Sequence, residues 1–116
     1  MRINLWLEAE GGILLGRGRH TLLEKIDALG SLKQAAQELG MSYRAAWGKL
    51  KQTEEALGAP LIEKHGSNRS GYRLTPLGRE MLRHYREWLN EVEDFALDRA
   101  RPRFGAHIAP YERKVR

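Results

Sequence analysis

Residues 30–78 read GSLKQAAQELGMSYRAAWGKLKQTEEALGAPLIEKHGSNRSGYRLTPLG and carry most of the information about the fold. The first part is a short helical pattern that begins after Ser31, because a serine followed three residues later by glutamine forms a capping box. Gly40 then supplies a left-handed turn, and Ser42 caps a longer helical pattern over 43–57. Two abutting helices are therefore predicted, and the turn between them lets the second leave at a steep angle.

A β-hairpin is predicted over 61–75, where two short apolar runs flank the polar loop GSNRSG. We call this hairpin the wing. A hairpin directly after two abutting helices is the order of elements in a winged helix-turn-helix. In that fold the second helix enters the major groove of DNA, and the wing reaches toward the backbone or the minor groove.

Two further elements are predicted before this stretch. Apolar and polar residues alternate on both sides of a Gly-Gly pair, which predicts a β-hairpin over 1–16. Apolar residues then recur at helical spacing over 21–29. Three helices are therefore predicted over 21–57.

The last predicted element is a long helix over 76–98. Thr75 caps it, with Pro76 at the first helical position, and Pro102 is expected to bar its continuation. Its apolar positions form two neighbouring rows, which indicates two partners: the parent domain for one row and a second subunit for the other. The candidate dimer contacts are Leu82, Tyr85, Trp88, Leu89, Val92 and Phe95.

The chain of 116 residues has the length of one domain. We predict a fold that is mainly α with small β: a winged helix-turn-helix over 1–98, with an N-terminal β-hairpin and a long C-terminal dimerisation helix. A basic tail follows over 99–116. The sequence contains no cysteine, which excludes disulfide frameworks, thiolate zinc sites and cysteine nucleophiles.

The net charge of +5 is distributed unevenly. Residues 99–116 contain six Lys or Arg and one Glu, or +5, so the rest of the chain is neutral. Within that rest, 33–73 has seven Lys or Arg and four Glu, or +3, whereas 76–98 has three Arg and six acids, or −3. The basic charge therefore lies on the tail and on the helix-turn-helix and wing, where contact with phosphates would require it.

The outward face of the predicted helix over 43–57 carries Arg44, Gly48 and Lys51, because at 100° per residue these lie opposite the apolar positions. A guanidinium matches the O6 and N7 acceptors of guanine, so Arg44 is the first candidate for reading a base. Lys51 is a better candidate for a phosphate contact. Glycine within a helix costs about 1 kcal/mol relative to alanine. Gly48 is therefore either a place where DNA approaches the backbone closely or a tolerant exposed position.

Further candidates for DNA contact flank this face. Ser42 and Tyr43 lie at the N-terminal entrance of the helix, where hydroxyls and amides commonly hold phosphate. Ser42 is also the expected cap, and Tyr43 and Trp47 have packing as an alternative role. Basic wing residues could span the sugar-phosphate backbone, and one at the tip could enter a narrow minor groove, although each singly could be a solvated surface residue. These wing residues are Lys64, Arg69 at the tip, and Arg73.

Other chemistry has little support in the sequence. The four histidines lie in different elements without an i, i+4 pair, so no metal site is expected. No catalytic constellation and no phosphate-binding loop is present, so we expect neither an enzyme nor a cofactor. The N-terminus does not have the pattern of a signal peptide, and no segment approaches the roughly 18 apolar residues of a membrane span. We expect a cytoplasmic protein without membrane contact.

Several motifs resemble known families of regulators. GSLKQAAQELGMS, EEALGAPLIEK and YRLTPLG resemble the N-terminal domain of LysR-type regulators. SYRAAW, the leading INLWLEAEGGILLGRGR and the Gly-containing wing are more similar to the DNA-binding domain of the molybdate-responsive ModE family, over residues 3–97. This resemblance implies a homodimer, joined through the long helix and the N-terminal region, on a palindromic operator. It places the start of the recognition helix at Ser42, Tyr43, Arg44 and Trp47.

The sequence also departs from the ModE pattern. Members of that family usually continue into a β-rich oxyanion-binding domain, whereas this sequence ends soon after the long helix. The resemblance therefore does not carry molybdate sensing to this chain. The wing has fewer glycines than is usual in the family, and Gly48 stands where a larger polar residue is expected. Both differences put the family's operator sequence in doubt for this chain.

Three functions are compatible with these patterns. The first is a sequence-specific, homodimeric transcriptional regulator. The second is a protein-interaction module that uses Trp6, Trp47 or the surplus apolar row of the long helix to dock a separate effector-binding subunit. The third is an architectural, non-specific DNA binder that uses the tail. Arg44 and Lys51 favour DNA reading over docking, because a docking face has little use for two cations beside a glycine.

Overall fold

The computed structural model describes residues 2–10, 12–67 and 69–105. The strands form two antiparallel pairs, β1 with β2 and β3 with β4. The architecture is the predicted winged helix-turn-helix, mainly α with two small hairpins and a long last helix. In chain order the elements are β1 (Trp6–Ala9), β2 (Gly12–Gly16), α1 (Arg17–Leu29), α2 (Leu32–Glu38), α3 (Tyr43–Leu57), β3 (Ile62–Lys64), β4 (Tyr72–Leu74) and α4 (Pro76–Phe104).

The apolar faces of the first three helices meet in one core. α1 contributes Leu22, Leu23 and Ile26, which are completely buried and recur at the spacing of a helical face. α3 contributes Ala46 and Leu50, which are buried as well. The inward face of α3 is therefore the one that its periodicity predicts, and its opposite face is left for solvent or a ligand.

The outer end of β4 and the loop before it are attached to the junction between α1 and α2. The Tyr72 amide donates to the Gly30 carbonyl at 3.1 Å, and the Leu32 amide donates to the Ser70 carbonyl at 3.0 Å. Ser31 caps α2 as predicted and also forms a β-bridge to the wing. The helix-turn-helix therefore supports the wing from one side.

The first turn of α4 packs against the chain that leads into β3. Thr75 caps α4 as predicted: its Oγ1 accepts from the Gly78 amide at 3.1 Å and donates to the Pro60 carbonyl at 2.8 Å. Gly78 is buried, and a β-carbon built there would lie 2.2 Å from the carbonyl oxygen of Leu61. Two stretches of backbone thus meet at a distance that only glycine permits.

The first helix begins earlier than predicted. α1 starts at Arg17 rather than at Thr21, after Gly16 in an extended conformation. Thr21 Oγ1 donates to the Arg17 carbonyl at 2.8 Å within the added turn. This turn escaped the prediction because its residues are polar or glycine until His20, and an apolar repeat appears only from Leu22 onward.

The last helix continues past Pro102, which contradicts the prediction that this residue bars it. α4 ends at Phe104, and the Gly105 amide donates to the Arg101 carbonyl at 2.9 Å. A proline in the last turn removes one hydrogen bond of the helix. The loss is tolerated there because several carbonyls at a helix C-terminus have no partner within the helix in any case. The first part of the predicted tail is therefore helical, while residues 106–116 lie outside the described part of the chain.

Tyr85 belongs to the core of its own chain, so its assignment to the dimer face is wrong. Only 2% of the residue is exposed. Its hydroxyl donates to the Leu5 carbonyl at 2.7 Å, and its ring lies 4.9 Å from that of His20. The predicted first strand is also shorter, since β1 begins at Trp6 and the carbonyls of Ile3 and Leu5 instead accept from Arg17 and Tyr85.

We expect folding stability to fall as the pH drops below about 6.5, because His20 is buried between α1 and α4. Burial lowers the pKa of His20, and the charges of Arg86 and Arg17 lower it further. Glu24 acts in the opposite direction and raises this pKa, but the net shift is downward. The unfolded chain therefore takes up a proton at a higher pH than the folded chain does. The stability that neutral His20 contributes is complete above the unfolded pKa and is lost as the pH falls toward the folded one.

Urea titrations of the wild type and of His20→Phe at pH 7.5 and pH 5.5 would measure this loss. The comparison at pH 7.5 isolates the packing change in the variant. The free energy of unfolding should fall less between the two pH values in His20→Phe than in the wild type. Parallel pH profiles for the two proteins would contradict the prediction.

Candidate nucleic-acid interface

α3 presents an exposed surface along its N-terminal half. Ser42 caps the helix as predicted, because its Oγ accepts from the Ala45 amide at 3.0 Å. Ser42, Tyr43 and Arg44 are all exposed, and Gly48 is exposed one turn further along. A β-carbon at Gly48 would meet nothing within 4 Å. The predicted outward face is therefore exposed, with free space beside Gly48.

The cations near this face differ in how far they are engaged. In the described part of the chain, the guanidinium groups of Arg44 and Arg69 form no hydrogen bond or ion pair. Lys51, in contrast, lies 3.5 Å from a carboxylate oxygen of Glu54 and 4.6 Å from the centre of the Trp47 ring. The two arginines can therefore turn to a ligand without giving up an internal contact, whereas Lys51 is already held.

The two remaining wing cations are exposed but paired. Arg73 Nε donates to Glu63 Oε1 at 2.8 Å. Lys64 donates to the Arg69 carbonyl and stands over the ring of Tyr72 at 5.0 Å. An exposed ion pair contributes only about 0–1 kcal/mol. A phosphate could therefore replace Glu63 as the partner of Arg73 at little cost.

Three aromatic residues join α3 to the wing, and we call Tyr43, Trp47 and Tyr72 the aromatic cluster. The rings of Trp47 and Tyr72 lie 5.9 Å apart with an angle of 47° between their planes. Tyr43, at the start of α3, is a neighbour of Tyr72. Burial, followed by this neighbour, raises the pKa of Tyr72, so its hydroxyl remains a donor at neutral pH.

Glu54 provides a second connection between α3 and the start of the wing. Its Oε2 accepts from the Leu61 amide at 2.7 Å and from the Ile62 amide at 3.4 Å. Sequence reasoning did not identify Glu54 or Tyr72 as residues of the site. Tyr72 contacts Trp47, which is distant in sequence, and Glu54 contacts the chain just after the turn that ends α3. Neither residue belongs to a periodic pattern that would reveal it.

The proposed dimer positions on α4 differ in exposure. Leu82, Trp88 and Leu89 are half-buried and pack against the core of their own chain. Val92 is also half-buried. Phe95 is 64% exposed. The apolar surface of these positions that their own chain leaves uncovered therefore lies mainly toward the C-terminal half of α4.

Two other features are absent from the described residues: a group of metal ligands and a helix able to span a membrane. Among residues 2–10, 12–67 and 69–105, no three His, Asp or Glu side chains are grouped as metal ligands. Within the same ranges, no helix has the length and apolar character needed to cross a membrane. The exposed surface of α3 and the wing remains the candidate functional site.

The chain matches a known family over most of the helix-turn-helix and wing. The sequence profile described as "Bacterial regulatory helix-turn-helix protein, lysR family" matches residues 20–79. The match covers just over half of the 116 residues. It includes both α3 and the wing, and it ends in the first turn of α4.

Two curated relatives extend this comparison. The molybdenum transport protein ModE of Azotobacter vinelandii is 32% identical over 113 residues, which cover 92% of this chain and 42% of that protein. The molybdenum-pterin-binding protein MopB of Rhodobacter capsulatus is 36% identical over 76 residues, 64% of this chain and 28% of that protein. The chain thus spans less than half the length of these relatives.

Solved structures share the fold. The CbnR_DBD–DNA complex has a TM-score of 0.56 and 25% identity, and the match covers 73% of this chain and 93% of that one. The BenM_DBD/catB site 1 DNA complex also has a TM-score of 0.56, with 23% identity over 78% of this chain and 97% of that one. The family comprises transcriptional regulators rather than enzymes. The chain, similar in sequence to ModE, belongs to the lysR family of bacterial regulatory helix-turn-helix proteins.

Proposed function

We propose that this chain is a sequence-specific, DNA-binding transcriptional regulator that acts as a homodimer on a palindromic operator in the cytoplasm. The observation that carries this proposal is the exposed face of α3, where Arg44, which has no side-chain partner among the described residues, stands beside Gly48. Arg69, whose guanidinium is likewise without a partner in the described ranges, extends the same basic surface onto the wing. An exposed helix with an adjoining basic hairpin is the arrangement that a winged helix uses to read DNA.

Each part of this surface has a distinct role in the proposed complex. Arg44 would donate to the edge of a guanine in the major groove, and Arg69 would reach the minor groove or the backbone. Phosphates would be held at the entrance of α3 by Ser42 and Tyr43. Further phosphate contacts would come from the more engaged cations, Lys51, Lys64 and Arg73.

Comparisons with known proteins support the same proposal. The CbnR_DBD and BenM_DBD structures that share this fold are complexes with DNA. ModE of Haemophilus influenzae, described as a transcriptional regulator, is 31% identical over 85 residues. These relatives make double-stranded DNA the first partner to test.

The homodimer would pair α4 with its copy. This helix of 29 residues is about 43 Å long at 1.5 Å per residue, in a body whose longest extent is 54 Å. Its region 76–98 has a net charge of −3, whereas Arg99, Arg101 and Arg103 follow near its end. Antiparallel pairing would place these arginines beside the carboxylates of the second copy, and the exposed Phe95 would be covered.

A second candidate function is a protein-interaction module. Trp6 and Leu7 on β1 are 54% and 43% exposed, and they lie outside α3 and the wing. Exposed apolar side chains of this kind suit a protein partner, such as a separate effector-binding protein. This function requires no DNA, so the experiment below separates it from the first.

Titration of labelled duplexes at several salt concentrations would test the first function. A site selected from random duplexes should be two-fold symmetric, and a duplex with one half-site should bind more weakly. Affinity should fall as salt rises, with a log–log slope of about −0.9 for each phosphate contacted. Binding that is absent at low salt, or unaffected by added salt, would reject DNA reading and favour the interaction module.

A further inference from the structure

We infer that Tyr72 is a positioning residue that fixes the wing relative to α3, so that the wing cations and Arg44 approach DNA as one rigid surface. This inference rests on the proposed DNA-binding function. It assigns a role to a residue that has no DNA contact of its own in the proposal. Tyr72 would act through the placement of the wing residues, and chiefly of Arg69.

The contacts of Tyr72 reach the end of α1 and the N-terminal half of α3. Its amide donates to the Gly30 carbonyl at the end of α1. Its ring packs on Trp47 of α3 with a centroid distance of 5.9 Å, and Tyr43 at the start of α3 is a further neighbour. The ring also lies under the ammonium group of Lys64 at 5.0 Å. One side chain on β4 therefore packs on α3 and also lies against a wing cation.

The other attachments of the wing do not lead to α3: the Ser70 carbonyl, Gly71 and the Tyr72 amide bond to residues 30–32 between α1 and α2. β3 and β4 have three residues each, and an isolated two-stranded hairpin is at best marginally stable in water. Glu54 holds the start of β3 through the Leu61 and Ile62 amides, but those amides lie at the root of the wing. Among the described residues, Tyr72 is thus the side chain that packs the outer part of the wing on α3.

Loss of this connection should weaken DNA binding by releasing the wing. A mobile wing must become ordered when DNA binds, which reduces the affinity. The reduction cannot exceed the free energy by which the lost contact had stabilised the ordered wing. The free energy of an aromatic pair corresponds to a factor of about 2 to 12 in affinity. We therefore expect Tyr72→Leu to weaken binding to the selected duplex by about 2- to 12-fold. Tyr72→Phe keeps the ring on Trp47 and should recover most of that loss.

A double-mutant cycle with Arg69 would distinguish positioning from a general loss of stability. In the wild type, Arg69→Ala should weaken binding and reduce the magnitude of the salt slope by about one. In the Tyr72→Leu background the same change should have a smaller effect, because the released wing no longer presents Arg69. An equal factor in both backgrounds would overturn the inference. Trp47→Leu breaks the same contact from α3 and replaces Tyr72→Leu if that variant does not fold.

A measurement without DNA keeps this inference separate from the proposed function. The chain has no native cysteine, so Glu55→Cys and Ser67→Cys, both at exposed positions, can carry a pair of spin labels. The distribution of distances between α3 and the wing tip should broaden in Tyr72→Leu and stay narrow in Tyr72→Phe. An unchanged distribution in Tyr72→Leu would overturn the positioning role even if DNA binding is confirmed. Absence of DNA binding by the wild type would reject the proposed function instead.

Discussion

Replacement of Gly78 by alanine should lower the free energy of unfolding by about 3 kcal/mol, at the upper end of the usual cost of overpacking. The added β-carbon would lie 2.2 Å from the Leu61 oxygen and 3.2 Å from the Leu61 carbonyl carbon. These are backbone atoms, so no side chain can rotate out of the way. α4 would have to move from its seat, which would also disturb the hydrogen bonds that Thr75 makes to Pro60 and Leu61. Thermal denaturation should show a midpoint about 10 °C or more below that of the wild type.

Gly48→Ala is the matched control, because it is also a helical glycine. A β-carbon at Gly48 meets nothing within 4 Å, so alanine should raise the free energy of unfolding by about 1 kcal/mol. Equal stability changes at the two glycines would contradict the close contact at Gly78. The DNA affinity of Gly48→Ala then separates the two interpretations of that position: a loss indicates close approach of DNA, and no change indicates a tolerant surface site.

Replacement of Arg44 by alanine should weaken binding to the selected operator by about 1–3 kcal/mol, a factor of roughly 5 to 150. The guanidinium is exposed and has no internal partner in the described part of the chain, so the folded protein loses little when it is removed. The loss should fall on one base pair in each half-site, where discrimination among bases should relax. Binding to unrelated duplexes should change much less.

Lys51→Ala is the contrasting variant for this prediction. A phosphate contact carries no base information, so its loss should weaken binding to all duplexes alike and make the salt dependence shallower. Lys51 is held by Glu54 and Trp47, so the effect should be smaller than that of Arg44. Site selection with both variants would measure base preference directly. An Arg44→Ala protein that keeps the full base preference of the wild type would remove Arg44 from base reading.

The helix-turn-helix was predictable because its signals are local. Ser31, Ser42 and Thr75 cap their helices as expected, and each cap needs only residues within one turn. The inward positions of α3 repeat at helical spacing and are buried. The early start of α1 and the extension of α4 past Pro102 were missed. At both helix ends the local signal was absent or pointed the other way.

The candidate site was only partly predictable for the same physical reason. Periodicity places Arg44, Gly48 and Lys51 on one face, and that face is exposed in the structure. Periodicity does not show which cations are already paired, because the partners of Arg73 and Lys64 depend on how the wing folds back on itself. Their availability for DNA is a property of the assembled surface.

On its own, the sequence specified the identity and order of the central helices and the presence of a wing. It did so through helix caps, turn residues and apolar spacing, because each of these signals acts over only a few residues. The tertiary structure decided which long-range contacts form. It placed Tyr85 in the core rather than on the proposed dimer face, brought the Leu61 carbonyl against Gly78, and connected Tyr72 to α3. Such contacts join segments distant in the chain, so they exist only after the helices have packed.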